Sequence, residues 1–160
     1  MSNPTETTPC GLTVSRIFEA PRALLWRVWT DPQKINGWFC TEKVAAISVK
    51  ADVRVGGRYR IQTKHVSGEY FTTAGVYTEV QEPERLVFTW AFEKDGSEPD
   101  FGELEPPETR VTLEFRELGP RTELVLTHDR FVSEQSRNNH EEGWTNILGS
   151  LAEYITAYQS

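Results

Sequence analysis

The chain has 160 residues, with 17 lysines and arginines against 24 aspartates and glutamates, for a formal net charge of −7. That length suits one domain around one core, and an acidic balance without any run of Lys or Arg disfavours broad electrostatic binding of nucleic acid. Two cysteines, Cys10 and Cys40, make neither a disulfide framework nor a four-ligand zinc site, and no apolar run is long enough for a signal segment or a membrane span, so a cytoplasmic protein is expected.

Residues 1–10 are polar and read as a flexible leader, with 11–160 as the single folded domain. The alternation from Leu12 to Glu19 predicts a first strand. Pro21 predicts a helix start, because its missing N–H would be unpaired in the first turn anyway, and Leu25, Val28 and Trp29 follow at helical spacing up to Thr30. Asp31 and Pro32 repeat the signal, Asp as N-cap and Pro at the first helical position, for a short second helix ending at Gly37.

From Val44 to Arg130 the period changes to two. Six strands are predicted, near 44–50, 57–64, 70–80, 85–92, 109–117 and 122–128, joined by Gly- and Pro-bearing turns, one of them at Gly56-Gly57. Residues 93–108 break the pattern with seven acids against Lys94 and with three prolines. They read as a long, solvated acidic loop, or as a lid with Phe101 or Leu104 as an apolar latch. Ser133 opens a last helix, in which Trp144, Ile147, Leu148, Leu151, Ile155 and Tyr158 recur at spacings of three and four. His140 lies one turn before Trp144 on the same face. Gly143 inside this helix costs about 1 kcal/mol relative to Ala, which points to a close approach of backbone or ligand there.

These elements define an α+β fold, and their dimensions predict a cavity. Seven strands spaced about 4.8 Å apart make a sheet roughly 30 Å wide, whereas a helix with its side chains is about 10 to 12 Å across. A sheet curled around the helix narrows the mismatch and leaves apolar side chains lining a gap. Strand parity and helix spacing place Phe88, Trp90, Leu113, Phe115, His128, Trp144, Leu148 and Leu151 towards it. Trp29 from the first short helix and Trp38 and Phe39 just after the second, with His140, complete the expected ligand-binding set. The alternative is a solid core of the same rings.

His128 and His140 are the interior histidines, suited to orienting a polar end of a ligand or to structural hydrogen bonding. Neither has a nucleophile or further ligands at a recognisable spacing, so no catalytic residue, metal site or cofactor is expected. Cys40, following Trp38 and Phe39, is placed near the cavity mouth as a small hydrophobe.

Six pieces in order carry a resemblance. They are Ala20-Pro21 through Val28-Trp29; Thr30-Asp31-Pro32; Trp38; Asp52 with Arg54 and Gly56-Gly57; Pro83 through Arg85-Leu86-Val87-Phe88-Thr89-Trp90; and His140 through Gly143-Trp144 and Leu148. Over residues 12–158 the chain resembles the Activator of Hsp90 ATPase homologue 1-like proteins of the START/polyketide-cyclase/Bet v 1 superfamily. The resemblance implies a helix-grip fold, a curved antiparallel sheet of about seven strands wrapped around the C-terminal helix, with two short helices after the first strand. It also implies tasks that range over lipid or polyketide-like ligand binding, antibiotic sequestration and cochaperone action. The expected function is binding of a small hydrophobic molecule, aromatic, polyketide-like or lipid-like, in the internal cavity. Two alternatives stand beside it: a cyclase- or hydrolase-type enzyme using that cavity, and a chaperone-interacting or stress-response protein. A protein partner or a homodimer is left open, and neither nucleic acid nor membrane is expected as a partner.

Overall fold

The structure is a computed structural model and describes residues 11–159; Cys10 and the expected leader over 1–10 lie outside the described residues. Strand β1 (Leu12–Phe18) is followed by helices α1 (Arg22–Thr30) and α2 (Pro32–Trp38). Strands β2 (Val44–Ala51), β3 (Arg58–His65), β4 (Tyr70–Gln81), β5 (Arg85–Glu93), β6 (Leu104–Leu118) and β7 (Arg121–Asp129) lead into α3 (Glu134–Gln159). All seven strands form one curled antiparallel sheet in the order β1-β7-β6-β5-β4-β3-β2, so β1 and β2 are its edges.

The helix starts follow from their capping chemistry. Asp31 caps α2 by accepting from the Gln33 N–H at 3.0 Å, with Pro32 behind it. Pro21 is the N-cap of α1 rather than its first helical residue, and its carbonyl receives the Leu24 and Leu25 N–H groups. Ser133 accepts from the Ser136 N–H at 3.1 Å at the head of α3. Between β2 and β3, Gly56 takes φ +87°, and a side chain on Gly57 would collide with the Asp52 carbonyl, which explains the paired glycines.

Two expectations are corrected. Leu104 to Glu108 belongs to β6, not to a loop: the β5–β6 register shifts between Trp90 and Phe92, so that Pro106 and Pro107 sit in a bulge, where a missing N–H is tolerated. The remainder, residues 94–103, is for the most part solvent-exposed, as expected, but it is not a lid over the concave side. Tyr59 and Ile61 face the concave side, so Arg58, Arg60 and Gln62 face the convex side, and the loop packs there. The Gly96 carbonyl accepts from Gln62 and Thr72, and the Phe101 ring lies under the Arg58 guanidinium at 3.9 Å. Glu93, the first acid of the expected loop, is fully buried and holds Arg60 through two bonds of 2.8 and 2.9 Å. Lys50–Asp100 and Lys94–Glu103 pairs offset more of the loop's negative charge.

The core lies between the concave face and the helices. Leu25 and Val28 of α1, and Leu148, Leu151 and Ile155 of α3, are buried together with Leu113, Phe115, Leu124 and Leu126 of β6 and β7. Gly143 corrects a third expectation, because a Cβ there would meet nothing within 4 Å, so no close approach requires it. Among the described residues, no helix is long and apolar enough to cross a membrane.

Candidate functional site

The helices cover the β1-β7-β6 half of the concave face, and the opposite half decides where space remains. There α2, which ends at Trp38, its C-cap Phe39, and Trp144 of α3 face β2 to β5. Between them lies an apolar pocket lined by Trp29, Ile35, Trp38, Phe39, Val49, Lys50, Ala51, Tyr59, Ile61, Tyr77, Phe88, Trp90 and Trp144. Its walls are aromatic rings in mostly edge-on and tilted contact: Trp29 to Trp38 at 4.7 Å, Trp90 to Trp144 at 5.0 Å, and Phe39 to Trp144 at 6.3 Å. The rings take up most of the expected gap and leave a cavity of about 20 Å³, room for about one water.

Of the residues expected to line the gap, Trp29, Trp38, Phe39, Phe88, Trp90 and Trp144 meet at this pocket. Leu113, Phe115, Leu148 and Leu151 share the concave side but are packed into the neighbouring core, Phe115 against Trp26. His128 and His140 stand behind the Trp90 and Trp144 wall, not in it. Cys40 is half-buried and does not line the pocket, and its carbonyl accepts from Ser150. Sequence reasoning missed Ile35, Val49, Ala51, Tyr59, Ile61 and Tyr77. The alternation of Tyr59 with Ile61 was a usable signal, since that parity puts both on one face.

His128 is fully wired. The Trp144 indole N–H donates to its Nδ1 at 2.9 Å, so the ring proton resides on Nε2, which donates to the Thr109 hydroxyl at 2.7 Å; that hydroxyl donates to the Trp90 carbonyl at 2.9 Å. Burial, helped by the neighbouring His140, lowers its pKa to about 2. His140 donates from Nδ1 to the Ser136 carbonyl at 2.8 Å, and burial lowers its pKa as well. Its ring packs among Trp90, Phe92, His128 and Phe131. Burial also holds the phenols of Tyr59 and Tyr77 above their ordinary range, so the pocket wall is uncharged apart from Lys50.

Most wall donors are paired: Trp38 with the Val28 carbonyl at 2.8 Å, Tyr59 with the Thr89 carbonyl at 2.6 Å, and Trp144 with His128. The indole N–H groups of Trp29 and Trp90 are buried and have no partner. Among the described residues no group of three His, Cys, Asp or Glu could hold a metal ion.

A curled seven-stranded antiparallel sheet gripping a C-terminal helix, with two short helices after the first strand and an aromatic pocket between them, defines a helix-grip protein. A family model described as Activator of Hsp90 ATPase homolog 1-like protein matches residues 19–156, and the chain belongs to that family. None of the curated proteins matches it significantly. Among solved structures, the chain is similar to an AHSA1 protein from Silicibacter pomeroyi, with 23% identity and a TM-score of 0.79 over 92% of this chain and 99% of that one. It is also similar to a protein from Arthrobacter aurescens, with 19% identity and a TM-score of 0.81 over 98% and 90% of the two chains. CalU16 from Micromonospora echinospora shares 27% identity with a TM-score of 0.66 over 93% and 78%.

Proposed function

We propose that this protein binds a small, mainly apolar molecule of aromatic or lipid-like character in the pocket between β2–β5, α2 and α3. The observation that carries this reading is the pocket itself: an almost wholly apolar, ring-lined wall where α2, Trp144 and strands β2 to β5 meet. The pocket is nearly shut. About 150 Å³ suffices for benzene in an apolar protein cavity, against about 20 Å³ here, so binding displaces wall side chains. The wall built to yield is the one on β2, an edge strand with a single sheet neighbour, whose pocket residues Val49 and Ala51 are only half-buried.

A catalytic use of the pocket draws less support, since both nitrogens of His128 are engaged within the protein and His140 lies behind the wall. The test is a ¹⁵N spectrum titrated with a library of hydrophobic small molecules. Shifts clustering at Trp29, Phe39, Phe88, Trp90 and Trp144 are expected. A library that moves none of them, or moves only exposed residues, overturns the reading.

A further inference from the structure

We infer that the ligand of this pocket carries an uncharged acceptor oxygen, such as that of a ketone, quinone, ester or amide, which the unpartnered indole N–H groups of Trp29 and Trp90 hold. This inference rests on the binding reading above and names the chemistry that it selects. Buried polar groups in folded proteins are almost always hydrogen-bonded, and an exception asks for a reason. Here two exceptions fall on one pocket. Both indoles line it, at 5% and 6% exposure, and both pack on Trp144, at 6.3 and 5.0 Å between ring centroids. The contrast with their neighbours matters: the indoles of Trp38 and Trp144 and the hydroxyl of Tyr59 all find acceptors within the protein.

The preference for an acceptor follows whatever the two N–H groups face before the ligand arrives. A hydrocarbon filling the pocket leaves them unpartnered or takes water from them, whereas an acceptor oxygen satisfies at least one. The preference for an uncharged acceptor follows from the wall. Its one cation, Lys50, already holds Asp100 at 2.8 Å, and a buried carboxylate without a paired cation is costly.

Three probes of one size separate these statements: ethylbenzene, acetophenone and benzoate, titrated into the full chain. The indole resonances are assigned in the wild-type protein by through-bond correlation. Acetophenone is expected to bind roughly tenfold more tightly than ethylbenzene, benzoate most weakly, and acetophenone alone to move the Nε1–H resonance of Trp29, Trp90 or both downfield. In Trp29→Phe and Trp90→Phe the preference for acetophenone over ethylbenzene shrinks in at least one variant. Should neither variant fold, the wild-type indole shifts decide the matter alone. Equal binding of ethylbenzene and acetophenone, with neither indole proton moved, overturns the acceptor assignment and leaves the binding reading standing. Tightest binding by benzoate overturns the uncharged-acceptor assignment in the same way. Absence of binding by all three overturns both.

Discussion

The Trp144 indole donates to His128 Nδ1 across 2.9 Å, and this bond sets the tautomer of a histidine that burial, with the neighbouring His140, keeps neutral. With Nδ1 accepting from Trp144 and Nε2–H donated to Thr109, both ring nitrogens are engaged within the protein. It joins α3 to β6 and β7 behind the pocket wall and also holds the Trp144 ring in place.

Removing His128 therefore acts first on stability. His128→Ala leaves the Trp144 N–H and the Thr109 hydroxyl short of a partner and opens a hole at a site with no solvent exposure. A loss of about 3 kcal/mol is expected from urea unfolding. His128→Gln, which retains polar atoms, should cost less, and a variant as stable as wild type would contradict this role.

The same histidine makes the fold acid-sensitive. Its folded pKa of about 2 lies below the 6.5 of the free side chain, so below pH 6.5 the unfolded chain binds a proton that the folded chain does not. Stability is then fully present above that pH and is lost as pH falls. Between pH 7.5 and 5.5 His128 removes on the order of 1 kcal/mol, and His140, shifted in the same direction, adds to the loss. Urea midpoints across this window should fall with pH, and His128→Gln should flatten the dependence.

On the convex face, Glu93→Gln leaves the Arg60 guanidinium buried beside a neutral amide. A loss of about 3 kcal/mol is expected, with faster amide hydrogen exchange in residues 94–103, because Arg60 also reaches the Glu98 carbonyl. Replacing both partners by methionine should cost less than either single change. A double variant less stable than both singles would refute this account.

Gly143→Ala tests the helix itself. With nothing within 4 Å of the added methyl, the substitution should stabilise the protein by about 0.5 to 1 kcal/mol through helix propensity alone. A drop in melting temperature would show that the position is constrained.

Much of the fold was legible because its signals are local. The switch from helical spacing to alternation at Val44, the capping pair Asp31 and Pro32, and the spacing from Trp144 to Ile155 each report on a few consecutive residues. The misreading at Leu104 to Glu108 has the same origin. Two prolines among acids look like a loop until a partner strand supplies the bulge that accommodates them. The candidate site was only half legible, since parity tells which face a side chain takes and not which part of that face the helices cover. Leu113 and Phe88 share the concave side, yet one is sealed under α1 and α3 and the other faces the pocket.

By itself the sequence determined the order of strands and helices and which face most side chains take, through periodicities of two and 3.6 that hold along each element, while the resemblance to a known family implied the helix-grip arrangement. Only the tertiary structure decided how full the interior is and which buried donors are satisfied. Filling and pairing depend on contacts between residues far apart in the chain: Trp38 meets a carbonyl of α1 and Trp144 meets His128, while Trp29 and Trp90 meet no acceptor.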